Sequence, residues 1–103
     1  MARTPLTDGS GRWFDREAAE AFDEGTRWNG NNHISLATGS QWDHEELYRT
    51  AGGKWILRHW SQWQGSGESY EEIGDHEAAK WLAVNEHEPH EACATEFAAL
   101  EIE

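Results

Sequence analysis

Three side chains near the carboxyl end of the chain are of types that bind transition metals: His87, His90 and Cys93. Their His-x-x-His-x-x-Cys spacing would put His90 and Cys93 on one face of a helix. A structural zinc site, however, needs four ligands, which normally come from paired Cys or His segments. Cys93 also starts an apolar i, i+4, i+7 pattern with Phe97 and Leu100, which is typical of a small buried side chain. We therefore predict a core cysteine, surface histidines, no metal site and no cofactor.

Glu45 and His59 are a second pair with chemical potential, because a carboxylate that orients an imidazole is half of a general-base arrangement. A nucleophile would have to be Ser35, Thr38 or Ser61, and none of these lies in a nucleophile motif. The sequence contains no G-x-S-x-G, phosphate-binding loop or dinucleotide fingerprint. The pair therefore predicts a cross-strand hydrogen bond, and we expect no catalytic residues and no enzymatic activity.

Residues 60–70, with the sequence WSQWQGSGESY, combine aromatic rings with amide side chains. Trp60, Trp63 and Tyr70 could present rings to a sugar or another flat ligand. They could equally form a protein interface, where Trp and Tyr are common hot spots, or complete the edge of the core. Single-stranded nucleic acid also stacks on aromatic rings but needs a positively charged groove, and nearby bases are few. We expect no direct binding of nucleic acid.

Negative charge is concentrated in the last third of this chain, whose formal net charge is −12. Residues 1–64 contain nine acidic and seven basic residues, whereas residues 65–103 contain eleven acids and the single base Lys80. Such a field repels phosphates and anionic membranes and attracts basic partners. Solubility or adaptation to high salt is the alternative, and six arginines against two lysines fit that alternative. Salt adaptation should nevertheless spread acids over the whole surface.

These features favour a small acidic interaction or regulatory protein, such as an inhibitor, an immunity or antitoxin-like factor, or a nucleic-acid mimic. The predicted site combines an aromatic turn with an acidic C-terminal surface: Trp60, Trp63, Tyr70, Glu68, Glu71, Glu72, Asp75 and Glu77. The alternative is a small-ligand or carbohydrate-binding module built on the three rings. A metal-dependent enzyme ranks last. The expected partner is a basic protein, and a homodimer is also allowed because the chain has a basic hairpin and an acidic end.

The absence of several sequence features indicates the cellular compartment of the protein. One cysteine rules out an internal disulfide, and no apolar run approaches the roughly 20 residues that cross a bilayer. Residues 1–12 lack the apolar stretch of a signal peptide. We expect a cytoplasmic protein without membrane contact.

The clearest structural element is a hairpin around Ala51-Gly52-Gly53, a three-residue turn with glycine available for positive φ. Pairing Thr50 with Lys54 sets the opposing residues as Arg49–Trp55, Tyr48–Ile56, Leu47–Leu57, Glu46–Arg58, Glu45–His59 and His44–Trp60. This register puts apolar residues opposite each other and acids opposite bases, and a shift by one residue destroys the match. Both faces of the hairpin carry apolar side chains, so we expect the hairpin to be central to its sheet or covered on both faces.

The remaining pattern predicts a single α+β domain over residues 13–103, preceded by a flexible N-terminal arm over residues 1–12. The fold is expected to be a small antiparallel sheet of three to four strands with one N-terminal and two C-terminal helices. The predicted elements are a helix over residues 16–24 capped by Asp15, strands over 33–37 and 69–73, a helix capped by Asp75 and running to Asn85, and a last helix after Pro89. One sheet face should pack on the helices. The other is either covered by the N-terminal segment or left for a partner.

Overall fold

A computed structural model of the chain describes residues 2–62 and 67–102. The described residues form eight strands, two α-helices and two 3-10 turns. The strands are β1 (Arg3–Pro5), β2 (Trp13–Asp15), β3 (Glu20–Asp23), β4 (Thr26–Trp28), β5 (His33–Ser35), β6 (Asp43–Arg49), β7 (Trp55–Ser61) and β8 (Ser69–Ile73). The helices are α1 (Asp75–Val84) and α2 (Ala94–Ala98), and the 3-10 turns are Arg16–Ala18 and Glu91–Cys93.

The strands make three antiparallel sheets. The central sheet has the order β3-β6-β7-β8, and β1-β2 and β4-β5 are separate two-stranded hairpins. The central pair β6-β7 has the register predicted from the sequence at every position from Arg49–Trp55 to His44–Trp60. Its turn is closed by the Thr50 N–H, which donates to the Lys54 carbonyl at 2.8 Å, and Gly53 takes a φ of 85°. The hairpin and the strand over residues 69–73 are therefore confirmed.

The predicted N-terminal helix is wrong. Asp15 does cap a helical segment, accepting a hydrogen bond from the Glu17 N–H, but that segment is a single 3-10 turn. The chain then extends into β3, which pairs along the outer edge of β6 with Phe22 opposite Leu47. Nine residues form only a marginal helix without packing, whereas an exposed sheet edge offers partners for the backbone groups of β3. Phe22 packs against the core from β3, and a single inward-facing apolar residue is compatible with a short helix as well as with an edge strand.

The predicted fold class is therefore also wrong. An α+β arrangement with one N-terminal and two C-terminal helices is replaced by a mostly β-stranded molecule with two short helices and several sheets of two to four strands. Helix α1 begins at Asp75 as its first residue, with Gly74 in the capping position. Helix α2 is only five residues long and follows a 3-10 turn that the His90 side chain caps.

Strand β5 ends two residues earlier than predicted because Ser35 starts a turn. Its hydroxyl accepts hydrogen bonds from the Ala37 and Thr38 N–H groups, and its carbonyl accepts one from Gly39. A serine that satisfies the following backbone groups in this way favours a turn over continued strand pairing.

The central sheet carries an apolar cluster on each face. One cluster joins the sheet to the helices: Leu47, Trp55, Ala78, Ala79, Trp81, Leu82 and Cys93. The other joins it to the β1-β2 hairpin: Leu6, Phe14, Tyr48, Ile56 and Tyr70. Both faces are thus covered, and the N-terminal segment covers the second, which is one of the two arrangements that the sequence allows.

The described part of the segment expected to be an arm, residues 2–12, contributes to that cover. Strand β1 pairs with β2, Leu6 is buried, and the Thr7 N–H donates to the Tyr70 carbonyl at 2.8 Å. Within the part of the chain that is described, no helix is both long enough and apolar enough to span a bilayer.

Candidate interaction surface

The rings of the predicted aromatic turn have different surroundings. Trp60 is half-buried on β7, with the Arg58 guanidinium 4.1 Å from its ring centroid. Tyr70 lies on the neighbouring strand, as expected, but it is only 5% exposed and its hydroxyl accepts a hydrogen bond from Arg16 at 2.9 Å. Trp63 lies outside the described residues. Tyr70 therefore offers no open ring to a ligand, and the binding roles of Trp60 and Trp63 stay predictions.

Two of the predicted acids are neutralised by bases from earlier in the chain. Glu68 accepts two hydrogen bonds from Arg58, at 2.9 and 2.5 Å, and Glu72 lies 2.7 Å from the Arg12 guanidinium. Burial opposes ionisation of Glu68, but the hydrogen bond and the charge of Arg58 outweigh it and lower the pKa of this carboxyl. The charges of these two acids are therefore compensated by ion pairs within the same chain.

Asp75 is also partnered. Its carboxylate accepts a hydrogen bond from the Trp55 indole at 2.9 Å and lies 3.9 Å from Arg49. Arg49 and Arg58 of the sheet, together with Arg12, are therefore paired with acids of the last third, and these ion pairs compensate three of those acids within one chain.

The other acids of the last third keep their charge at the surface. Glu77 is exposed and lies 3.9 Å from the exposed Lys80, a geometry that contributes little energy. Five more carboxylates are exposed and form no ion pair within residues 2–62 and 67–102: Glu71, Glu86, Glu88, Glu91 and Glu101. We call these five residues the uncompensated acids.

A groove of about 250 Å³ lies between the central sheet and α1. Its lining is apolar at Ala37, Leu57, Ile73, Trp81 and Val84, and polar at Glu45, Glu71, Glu77, Lys80 and Asn85. One uncompensated acid, Glu71, thus lines a partly apolar depression.

Glu45 contacts side chains on both sides of this groove. One carboxylate oxygen accepts a hydrogen bond from the Trp81 indole at 3.0 Å, and the other lies 3.5 Å from His59 Nδ1. The predicted cross-strand contact between Glu45 and His59 is confirmed. Because Trp81 belongs to α1, the same carboxylate also joins the sheet to that helix.

The three predicted metal-type ligands have separate environments. Cys93 is fully buried, as predicted, and burial raises the pKa of its thiol. His87 and His90 are half-buried, not fully at the surface: His87 Nε2 donates to the Asp23 carbonyl at 2.6 Å, and His90 Nε2 donates to Glu20 at 3.0 Å. Among the described residues, no group of three or more such side chains is placed to hold a metal ion.

Sequence reasoning missed a polar cluster around Glu24. Its carboxylate accepts hydrogen bonds from His44 Nδ1 at 2.7 Å, from the Ser35 hydroxyl at 2.9 Å and from the Glu45 N–H at 2.8 Å. The wrong helix over residues 16–24 concealed the cluster, because it put Glu24 at a helix end.

Three exposed tryptophans were also missed. Trp28 is 60% exposed on β4, next to the His33 ring, and Trp13 and Trp42 are 48% and 41% exposed. The available signal was the Asn29-Gly30 turn, which follows Trp28 directly and therefore places this ring at the end of a hairpin.

The acid surplus and the groove are the features on which a function can be argued. Comparison with known protein families, curated proteins and solved structures gives no match for this chain. Function is therefore inferred from charge, exposure and shape alone.

Proposed function

We propose that this protein binds a basic protein through its acidic C-terminal surface and acts as an inhibitor, an immunity or antitoxin-like factor, or a mimic of nucleic acid at a basic site. One observation carries the proposal. Arg58, Arg12 and Arg49 are paired with Glu68, Glu72 and Asp75, so that the uncompensated acids face solvent without a counter-charge.

Electrostatics supports this role in a specific way. A surface with one sign of charge attracts an oppositely charged partner over distances up to the Debye length, about 8 Å at physiological ionic strength. It raises the association rate more than it raises the final affinity. Exposed carboxylates also take the place of phosphates at a basic site, since both are anionic acceptors for Arg and Lys.

The test is capture of partners at low and at high salt by the purified protein and by two charge-matched variants. The first variant, Glu86→Gln/Glu88→Gln/Glu91→Gln, removes three uncompensated acids. The second, Asp8→Asn/Glu17→Gln/Asp23→Asn, removes three exposed acids outside the last third. We expect the first to lose the partner and the second to retain it, with all capture weakened by salt.

Two results would contradict the proposal. Failure of the wild-type protein to retain any protein specifically at low salt would remove its basis. Equal losses in both variants would mean that net charge, and not the C-terminal surface, is responsible.

A further inference from the structure

The groove between the sheet and α1 has an apolar base. Leu57 and Ile73 come from neighbouring strands and Trp81 from the facing helix, and all three border the same depression. At about 250 Å³ the groove is smaller than the roughly 300–1,000 Å³ of a small-molecule site. Its size is therefore that of a single long side chain.

The lining of the groove is also acidic. Glu45, Glu71 and Glu77 contribute three carboxylates, and the ammonium of Lys80 is the opposing charge among the described lining residues. Lys80 is directed toward Glu77, 3.9 Å away, whereas Glu71 forms no ion pair among the described residues. The two oxygens of Glu45 already contact the Trp81 indole and His59, but each has a further lone pair with which to accept a donor. The Glu45 side chain is only 19% exposed and is fixed by Trp81, so it requires little ordering to accept a ligand.

We propose that this groove binds an arginine side chain of the basic partner, an inference that rests on the proposed function and specifies its contact. The methylene stem of arginine would lie on Leu57 and Ile73, while its guanidinium donates to Glu45 and Glu71. Arginine suits the site better than lysine, because its planar fork matches carboxylates with two donors and is more weakly hydrated.

The experiment uses a short synthetic peptide in which arginines alternate with Gly-Leu pairs, and a matched peptide with uncharged citrulline in place of arginine. The reporter is the indole N–H signal of Trp81 in an ¹⁵N correlation spectrum, identified by its loss in Trp81→Phe. We expect saturable shifts of this signal with the arginine peptide and none with the citrulline peptide. A lysine peptide should bind several-fold more weakly.

Variants locate the binding. Glu45→Gln keeps an oxygen for the Trp81 indole but removes the charge, and Glu71→Gln makes the same change at an exposed position. Each should weaken the arginine peptide about tenfold. Glu88 lies outside the groove lining, so Glu88→Gln should change the affinity for the arginine peptide by less than about twofold.

Three results would each overturn the arginine site. The first is an equal effect of Glu45→Gln, Glu71→Gln and Glu88→Gln on binding of the arginine peptide. The others are binding of the citrulline peptide, or of the lysine peptide, as tight as that of the arginine peptide. The result is separable from the proposed function. A partner retained by Glu45→Gln and Glu71→Gln but lost with the Glu86, Glu88 and Glu91 variant would refute the groove alone. Specific peptide binding without any captured partner would refute the proposed function alone.

Discussion

Glu24 joins three separate parts of the chain through one carboxylate, which accepts hydrogen bonds from Ser35, His44 and the backbone of Glu45. Because Glu24 lies between β3 and β4, these bonds fix the approach of the β4-β5 hairpin to the central sheet. The described residues provide no partner for the buried Nε2 atom of His44.

Replacing Glu24 with alanine should be strongly destabilising. Glu24→Ala leaves two side-chain donors and one backbone donor without an acceptor, and we expect a loss of about 2–4 kcal/mol in the free energy of unfolding. Urea unfolding measures this loss. The exposed neighbour Asp23→Ala is the control and should change stability by about 0.5 kcal/mol or less. Equal effects of both changes would show that the Glu24 bonds contribute nothing.

The two tyrosines make stability depend on pH in the alkaline range. Burial, followed by the hydrogen bond to Glu46, raises the pKa of Tyr48 to about 12, and burial also raises the pKa of Tyr70. A phenol with a raised folded-state pKa stabilises the fold fully below its unfolded value of about 10 and loses that contribution as pH rises toward 12.

The urea concentration at the midpoint of unfolding should therefore decrease as the pH is raised from 10 to 12. Ultraviolet absorbance of the phenolate should show both rings ionising above pH 10 in the folded protein and near pH 10 in urea. Tyr70→Phe isolates the signal of Tyr48, since the chain has two tyrosines. Native titration of Tyr48 near pH 10 would contradict its buried environment.

Residue contacts were predictable only where an element had already been placed. The Glu45–His59 contact followed from the turn, because one short loop fixes every cross-strand neighbour of the hairpin. The contact between Glu24 and His44 joins residues 20 positions apart through an edge strand that was assigned as a helix. No local pattern encodes such a pair.

The β6-β7 hairpin is the element that sequence determines best, and its turn shows why. Gly52 and Gly53 are adjacent, but only Gly53 has a left-handed backbone, with φ of 85°. Gly53→Ala should therefore lower the free energy of unfolding by about 1 kcal/mol, whereas Gly52→Ala should be nearly neutral. Thermal or urea unfolding of the two variants compares them directly. The opposite order would mean that the turn has another conformation.

Elements with ambiguous patterns were harder to assign. The stripe of Ala18, Ala19 and Phe22 fits a short helix, and no alternation of apolar and polar residues marks the edge strand that forms there. The choice depends on whether the edge of β6 is free to pair, which is a property of the assembled sheet. Helix α1 was predicted within one residue at its end because its buried stripe of Ala78, Trp81 and Leu82 has only one periodic interpretation.

The whole molecule has extents of 41 × 40 × 21 Å, consistent with a sheet covered by a hairpin on one face and by short helices on the other. Sequence predicted that one face would pack on the helices, and it left the other face either covered by the N-terminal segment or open to a partner. The individual ion pairs of the acidic end depend on contacts across as many as 60 positions, as between Arg12 and Glu72. The uncompensated acids could be identified only after those pairs were known.

The salt dependence of thermal unfolding should distinguish a functional acidic surface from adaptation to high salt. At a formal charge of −12, repulsion within the chain is screened by added salt, so the midpoint of thermal unfolding should rise by a few degrees between low salt and about 0.5 M. Calorimetry or circular dichroism should nevertheless show cooperative unfolding at low salt. A chain that folds only in molar salt would instead favour salt adaptation.

Strand β8 ends the central sheet, and both backbone groups of Tyr70 on its outer side are occupied by Thr7. An unoccupied strand edge is a template on which a second chain can polymerise. Thr7 therefore blocks this position of the edge, and we expect it to oppose edge-to-edge association. Trimming the first residues away, as in a shortened expression product, would uncover both this template and the apolar cluster beside it.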